Sequence, residues 1–201
     1  MKIIEIKDKI NEKEKNTILK CFTNKAFKEI IYKELCQLEY LETEYGFLST
    51  IGIKIKYPEN NYEIEGFIKT PDNSPYKNGI FNFIIKYQEN YPKVHPIVII
   101  KTKIFHCNVH RETRRCDISS YIGSMWNGTN IIDLPQILGM LNVFLAFNNP
   151  QSPYNREYAN VFETNYSEFE RTSQEFINKY GCRNFNPNLS YLFEGKYNPK
   201  K

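Results

Sequence analysis

The chain has 201 residues, 41% of them apolar and 25% charged, with a net charge of +4. That length suits one domain with appendages, and the apolar fraction can fill one core, which excludes global disorder. Lys and Glu mix along the chain instead of forming a basic stripe, and apolar runs such as 97–100 are far too short to span a bilayer, so neither nucleic acid nor membrane is an expected partner.

The opening MKIIEIKDKINEKEK has a short apolar lead, Ile3, Ile4 and Ile6, followed by charge. It lacks the apolar core and cleavage site of a signal peptide and reads as an extension over 1–20. In 22–42, Phe27, Ile30, Ile31, Leu35, Leu38 and Leu41 share one helical face. Strand-like runs follow at 49–57, 62–70, 79–87 and 95–101, separated by short links rich in Pro, Asn and Gly. Such links imply an antiparallel meander. Strand signals then stop. Asp133 and Pro135 open a helix over 134–147 that is apolar nearly all round and therefore expected to be buried. A last helix is expected over 156–180, where Phe162, Tyr166, Phe169, Ser173, Phe176 and Tyr180 repeat at spacings of four and three and Gly181 fits a C-cap. The fold class is therefore α+β: a helix, a four-stranded meander, an irregular segment, then C-terminal helices. The domain plan is an extension over 1–20, one domain over 21–181 and a tail over 182–201.

The irregular segment KTKIFHCNVHRETRRCDI (101–118) concentrates the reactive residue types. Cys107 and His110 make one mixed ligand pair, but no second pair lies near to complete a zinc site, so no metal is expected. Cys116 sits beside Arg114 and Arg115, and nearby positive charge lowers a thiol pKa. On that ground Cys116 has a modest lead as a nucleophile over an ordinary surface cysteine. The five cysteines are odd in number and lack paired spacing, which suits free thiols in a reducing compartment, the cytoplasm, the nucleus or both. The sequons at Asn127, Asn165 and Asn188 are then chance matches.

The stretch SPYKNGIFNFIIKYQENYPKVHPIVIIKTKIFHCN (74–108) resembles the signature of the ubiquitin-conjugating enzymes: Pro-Tyr-x-x-Gly-x-Phe, Tyr-Pro-x-x-Pro-Pro and Thr-Lys-Ile-x-His-Pro-Asn. In that family the reactive cysteine follows the Asn by eight residues, the spacing of Asn108 and Cys116. Trp126, the Asn-Pro-x-x-Pro element of residues 149–153 and the final helix fit as well, so the resemblance covers about 25–181. It implies the UBC fold and a transferase. Cys116 would accept the C-terminus of ubiquitin or a ubiquitin-like modifier as a thioester from a cognate activating enzyme. A substrate lysine would then take it, usually with a ligase. Asn108 would stabilise the developing charge or hold the loop that does. His106 and Trp126 would be structural, and Ser152 would stand where many members gate the transfer. No cofactor is implied.

The sequence departs from the family pattern at several points. Cys107 and His95 replace prolines, Asp117-Ile118 follows the cysteine, the loop over 117–132 carries extra residues, and Lys93 and Asn127-Gly128-Thr129 alter the surface that docks ligases. The extension resembles that of the neddylation branch, whose members modify cullins. There, Ile3, Ile4 and Ile6 would dock on the activating enzyme, so ubiquitin and the cullin modifier both stand as candidates. The competing readings are a catalytically inactive UBC-fold variant that acts as a binding partner, and a zinc-binding adaptor.

Overall fold

The computed structural model describes residues 25–46, 50–56, 63–88, 91, 94–118, 121 and 132–183. Ile3, Ile4, Ile6, Lys93, Trp126, Asn127-Gly128-Thr129, Asn188 and most of the tail lie outside them.

Helix α1 covers Lys25–Tyr45. Ile31, Leu35 and Leu38 recur one turn apart and are buried, as the periodicity predicts. Gly46 follows with φ 61°, the left-handed conformation that commonly ends a helix. No atom lies within 4 Å of where its Cβ would stand, so backbone conformation and not crowding favours glycine there.

Strands β1 (Ile51–Lys56), β2 (Glu63–Lys69), β3 (Ile80–Lys86) and β4 (Ile97–Ile100) form one antiparallel sheet in chain order. Each lies inside its expected run, with the ends drawn in by one or two residues. The register pairs Ile51 with Ile68, Ile64 with Ile85, and Phe83 with Ile100. Alternation sends Ile64, Gly66 and Ile68 of β2 inward. The Phe83 ring packs on Gly66, where an added Cβ would stand 2.4 Å from it.

Helix α2 covers Leu134–Ala146 and is closed at its start by a capping box: Asp133 accepts from the Gln136 N–H and Gln136 accepts from the Asp133 N–H, both at 2.9 Å. Leu134, Ile137, Leu138, Leu141, Phe144 and Leu145 join the core with α1 and the sheet. Burial is one-sided, however. Val143 is 50% exposed and Phe147, the C-cap, 61%. An apolar composition all round does not enclose a helix when only one face has a neighbour.

The expected final helix is two, α3 (Arg156–Thr164) and α4 (Tyr166–Tyr180). Asn165 caps both: its N–H closes α3 on Val161 O, and its side chain accepts from the Glu168 N–H at 3.1 Å. A short polar side chain that bonds the local backbone favours such a break over a continuous helix. The apolar repeat runs across the break because Phe162, Tyr166 and Phe169 still pack on one another. Gly181 is the C-cap of α4, in extended and not left-handed conformation.

Candidate active site

Past β4 the chain crosses the sheet end as an irregular segment, and side chains fix its path. The Tyr76 hydroxyl donates to Phe105 O at 2.8 Å and accepts from Asn148 Nδ2 at 3.1 Å. Asn148 Oδ1 in turn accepts from the Cys107 N–H at 3.1 Å. A proline at 107 has no N–H, so the cysteine adds a bond where it loses the φ constraint. The Cys107 thiol is buried, which pushes it up to about 12.

His106 is fully buried, with its ring stacked on Phe144 at a 4.3 Å centroid distance. Its Nδ1 accepts from the Asn108 N–H at 3.1 Å, so the proton sits on Nε2, which donates to Phe144 O at 2.9 Å. Burial pushes its pKa down to about 4, so near neutral pH it is uncharged.

Asn108 joins the two halves of the site. Its Nδ2 donates to Asn149 O at 2.8 Å and to Ser152 O at 2.9 Å, while Oδ1 accepts from the Asn149 N–H at 2.8 Å. Tyr121 Oη lies 3.1 Å from the same oxygen. Both amide protons are engaged in holding the 149–152 loop.

The turn over 109–116 is a narrow hairpin. Val109 pairs with Cys116, and Asp117 N–H donates to Asn108 O at 2.9 Å. Arg114, at the turn, has φ 61°, uncommon for a residue with a side chain. Here the structure corrects a sequence expectation. Cys116 is 9% exposed and belongs to the hydrophobic core. Burial drives its thiol well above the usual range, and the neighbouring Ile100 N–H offsets only part of this. The Arg115 side chain points to solvent, so the basic sequence around the cysteine does not become a basic environment for the sulfur. The next residue, Asp117, is buried as well, and its Oδ2 lies 3.5 Å from Ser152 Oγ.

The structure thus brings Asn108, Asp117 and Ser152 together, with His106 bonded to the Asn108 backbone and Cys116 adjacent in sequence, against the core. His110 Nδ1 accepts from the N–H groups of Glu112 and Thr113 within the turn. Among the described residues no group of three or more His, Cys, Asp or Glu side chains could hold a metal. Sequence reasoning missed Tyr76, Tyr121 and Asn148. Only Tyr76 had a visible signal, its place in the Pro-Tyr-x-x-Gly motif.

A family profile described as ubiquitin-conjugating enzyme matches residues 34–177. The chain is 30% identical over 117 residues to the Arabidopsis thaliana protein described as "Probable ubiquitin-conjugating enzyme E2 31", covering 58% of this chain and 73% of that one. It is 30% identical over 129 residues to ubiquitin-conjugating enzyme E2 3 of the same plant, covering 63% and 83%. Among solved structures, a Plasmodium yoelii protein assigned to the ubiquitin-conjugating enzymes superposes with a TM-score of 0.63 at 24% identity, covering 77% of this chain and 97% of that one. At that identity the likeness speaks for the fold.

Proposed function

The chain belongs to the ubiquitin-conjugating enzyme family, and on that premise we propose that it acts in the attachment of ubiquitin or a related modifier to proteins. The observation that carries this is the Asn108 hub, which ties 106–108 to the 149–152 loop. The working unit is 21–181, with 1–20 as a docking extension and 182–201 as a tail. The names of the plant relatives support ubiquitin as the modifier. The apolar-basic extension supports the cullin modifier, with Ile3, Ile4 and Ile6 docking on its activating enzyme. The thiols of Cys107, Cys116 and Cys182, which form no disulfide among the described residues, suit a reducing cytoplasm or nucleus.

In the thioester reading, the Cys116 thiolate attacks the modifier's C-terminal carbonyl on the activating enzyme, whose own thiolate leaves. A substrate lysine, stripped of its proton by solvent or a nearby acceptor, then attacks that carbonyl. The C–N bond forms, the C–S bond breaks, and Cys116 leaves as thiolate. Asn108 holds the loop beside the reacting carbonyl, and Ser152 lines it. The spacing from Asn108 supports this reading.

The second reading is a family member that binds the modifier or its partners, a ligase among them, without being charged. No ligand cluster among the described residues supports a zinc-binding adaptor. Incubation with activating enzyme, ATP and modifier separates the two main readings. A reductant-labile adduct that disappears in Cys116→Ala supports the first. Absence of any adduct with ubiquitin and with the cullin modifier, each with its own activating enzyme, supports the second.

A further inference from the structure

A cavity of about 330 Å³ opens between the 109–116 turn and the C-terminal helices, lined by residues none of which bonds the Asn108 side chain. Its floor is apolar: Ile104 and Val109 are both buried. Its walls are the half-buried rings of Tyr158 from α3 and of Phe176 and Tyr180 from α4. Other rings hold these in place. Phe105 packs on Tyr158 at a 3.9 Å centroid distance and on Phe176 at 5.6 Å, and Phe176 packs on Tyr180 at 5.5 Å. The turn is held as well, with Arg114 N–H donating to His110 O and His110 N–H to Arg115 O, both at 2.9 Å. The cavity is therefore formed in advance, which limits the ordering cost of binding.

The mouth is cationic. Lys103 and Arg111 are exposed, Arg114 is partly so, and no Asp or Glu lines the cavity. Lys103 Nζ stands 5.1 Å from the Tyr180 ring centre, and Lys179 Nζ stands 5.2 Å from the same ring. Arg111 meets Glu157 of α3 at 3.7 Å, but the two side chains are 70% and 74% exposed, and so open a pair contributes little. Neither Lys103 nor Arg114 has a carboxylate partner among the described residues.

These two layers restrict the occupant. An anion sunk to the floor would lose its water among apolar side chains, which is costly, so charge belongs at the mouth and an apolar group inside. Lys103 by Tyr180 and Arg111 by Glu157 stand at different points of the mouth, so the matching negative charge is spread instead of gathered in one group. The volume lies at the low end of the roughly 300–1,000 Å³ range of small-molecule sites, which suits one large side chain better than an extended cofactor. We infer that this cavity docks an acidic segment of a partner protein, with one aromatic or large aliphatic side chain inserted and flanking Asp or Glu residues at Lys103, Arg111 and Arg114. A guanidinium fork can take a carboxylate through two parallel bonds. Val109, in the floor, pairs with Cys116, so the docked partner is held next to the segment that carries that cysteine. This binding does not depend on whether the chain is charged with a modifier.

Fluorescence anisotropy on the full chain tests this, with a fluorescein-labelled peptide that carries one phenylalanine between runs of glutamate and aspartate. The peptide should bind saturably, and more weakly at high salt. Combining Lys103→Gln, Arg111→Gln and Arg114→Asn should weaken binding roughly tenfold or more. Asn tolerates the left-handed φ of position 114, and all three sites reach solvent, so the urea midpoint should not move. Combining Lys33→Gln, Lys69→Gln and Lys77→Gln removes the same charge from exposed lysines that do not line the cavity and should leave binding nearly unchanged. A peptide with serine in place of phenylalanine tests insertion on the unaltered protein and should bind roughly tenfold or more weakly. Failure of the acidic peptide to saturate, equal binding by the two triple variants, or equal binding of the serine peptide would each overturn the inference. Displacement by adenosine monophosphate at lower concentration than by unlabelled peptide would overturn it too, by making a small anion the occupant.

Discussion

Glu34→Gln should stabilise the protein above neutral pH and have little effect near pH 5. Glu34 lies on the buried face of α1, where its carboxylate oxygens accept from the Tyr91 hydroxyl, from the Tyr87 hydroxyl at 3.3 Å and from the Leu134 N–H at 3.2 Å. Burial is the main cause that raises its pKa from 4.5 to about 7, and the Asp133 charge adds to it, while the Tyr91 bond works in the opposite direction. In the unfolded chain the carboxyl titrates near 4.5, and in the folded chain near 7. Between those values the unfolded state binds fewer protons, so stability falls as pH rises through that window and stays low above it. A shift of that size corresponds to about 3 kcal/mol at about 1.4 kcal/mol per unit. Gln keeps one oxygen acceptor, for the Tyr87 hydroxyl and the Leu134 N–H, while its NH2 stands where the other oxygen accepts from Tyr91, and it cannot ionise. Its extra N–H donors lie near Ile132 O, which the Tyr91 hydroxyl already approaches at 3.4 Å, so the realised gain should be nearer 2 kcal/mol, roughly the cost of an imperfectly satisfied amide subtracted. Urea unfolding at about pH 5, 6, 7 and 8 measures it, and the informative quantity is the difference between the two proteins at each pH. A difference that stays constant across the series would refute a carboxyl forced to ionise inside the core.

His106 acts at the other end of the scale: its pKa falls to about 4, so the folded state binds fewer protons as pH drops from about 6.5 to 4 and loses about 3 kcal/mol over that range. His106→Gln should flatten the acid limb of a stability-against-pH curve while costing roughly 1–3 kcal/mol at neutral pH through imperfect bonding to Phe144 O and the Asn108 N–H. Asn108→Ala removes the donors to Asn149 O and Ser152 O and should cost roughly 2–4 kcal/mol in urea unfolding, with faster amide exchange over 149–152 as the local signature. Asn165→Ala removes the cap of α4 and should cost about 1 kcal/mol, read as a lowered Tm.

The sequence by itself determined most of the scaffold, because the rules that set it are local. Alternating apolar residues can bury one face only as strands, so the four runs became the meander, and short links left antiparallel pairing as the arrangement. Asp133 and Gln136 stand three residues apart, and that spacing is a capping box wherever it opens a helix. The motif order also points to an Asn108–Ser152 neighbourhood, although the bond between them runs through a backbone oxygen that no spacing rule names.

Where the sequence misled, it did so by counting residues without knowing which way they point. Asn165 looks like one polar position in a long repeat, yet its side chain competes for the backbone and divides the helix. Val143 reads as core, yet it is 50% exposed, on the face of α2 that no element among the described residues covers. Above all, Asn108 and Cys116 stand at a fixed distance along the chain, and distance along a chain fixes no direction. A turn that contains a left-handed Arg114, and a pairing with β4 that sets Arg115 outward, place Cys116 against the core and not in the basic surroundings that its sequence neighbours suggest. With a side-chain period of two, only the tertiary register could decide that Arg115 lies at the surface and Cys116 against the core, because exchanging them would bury a guanidinium in apolar surroundings.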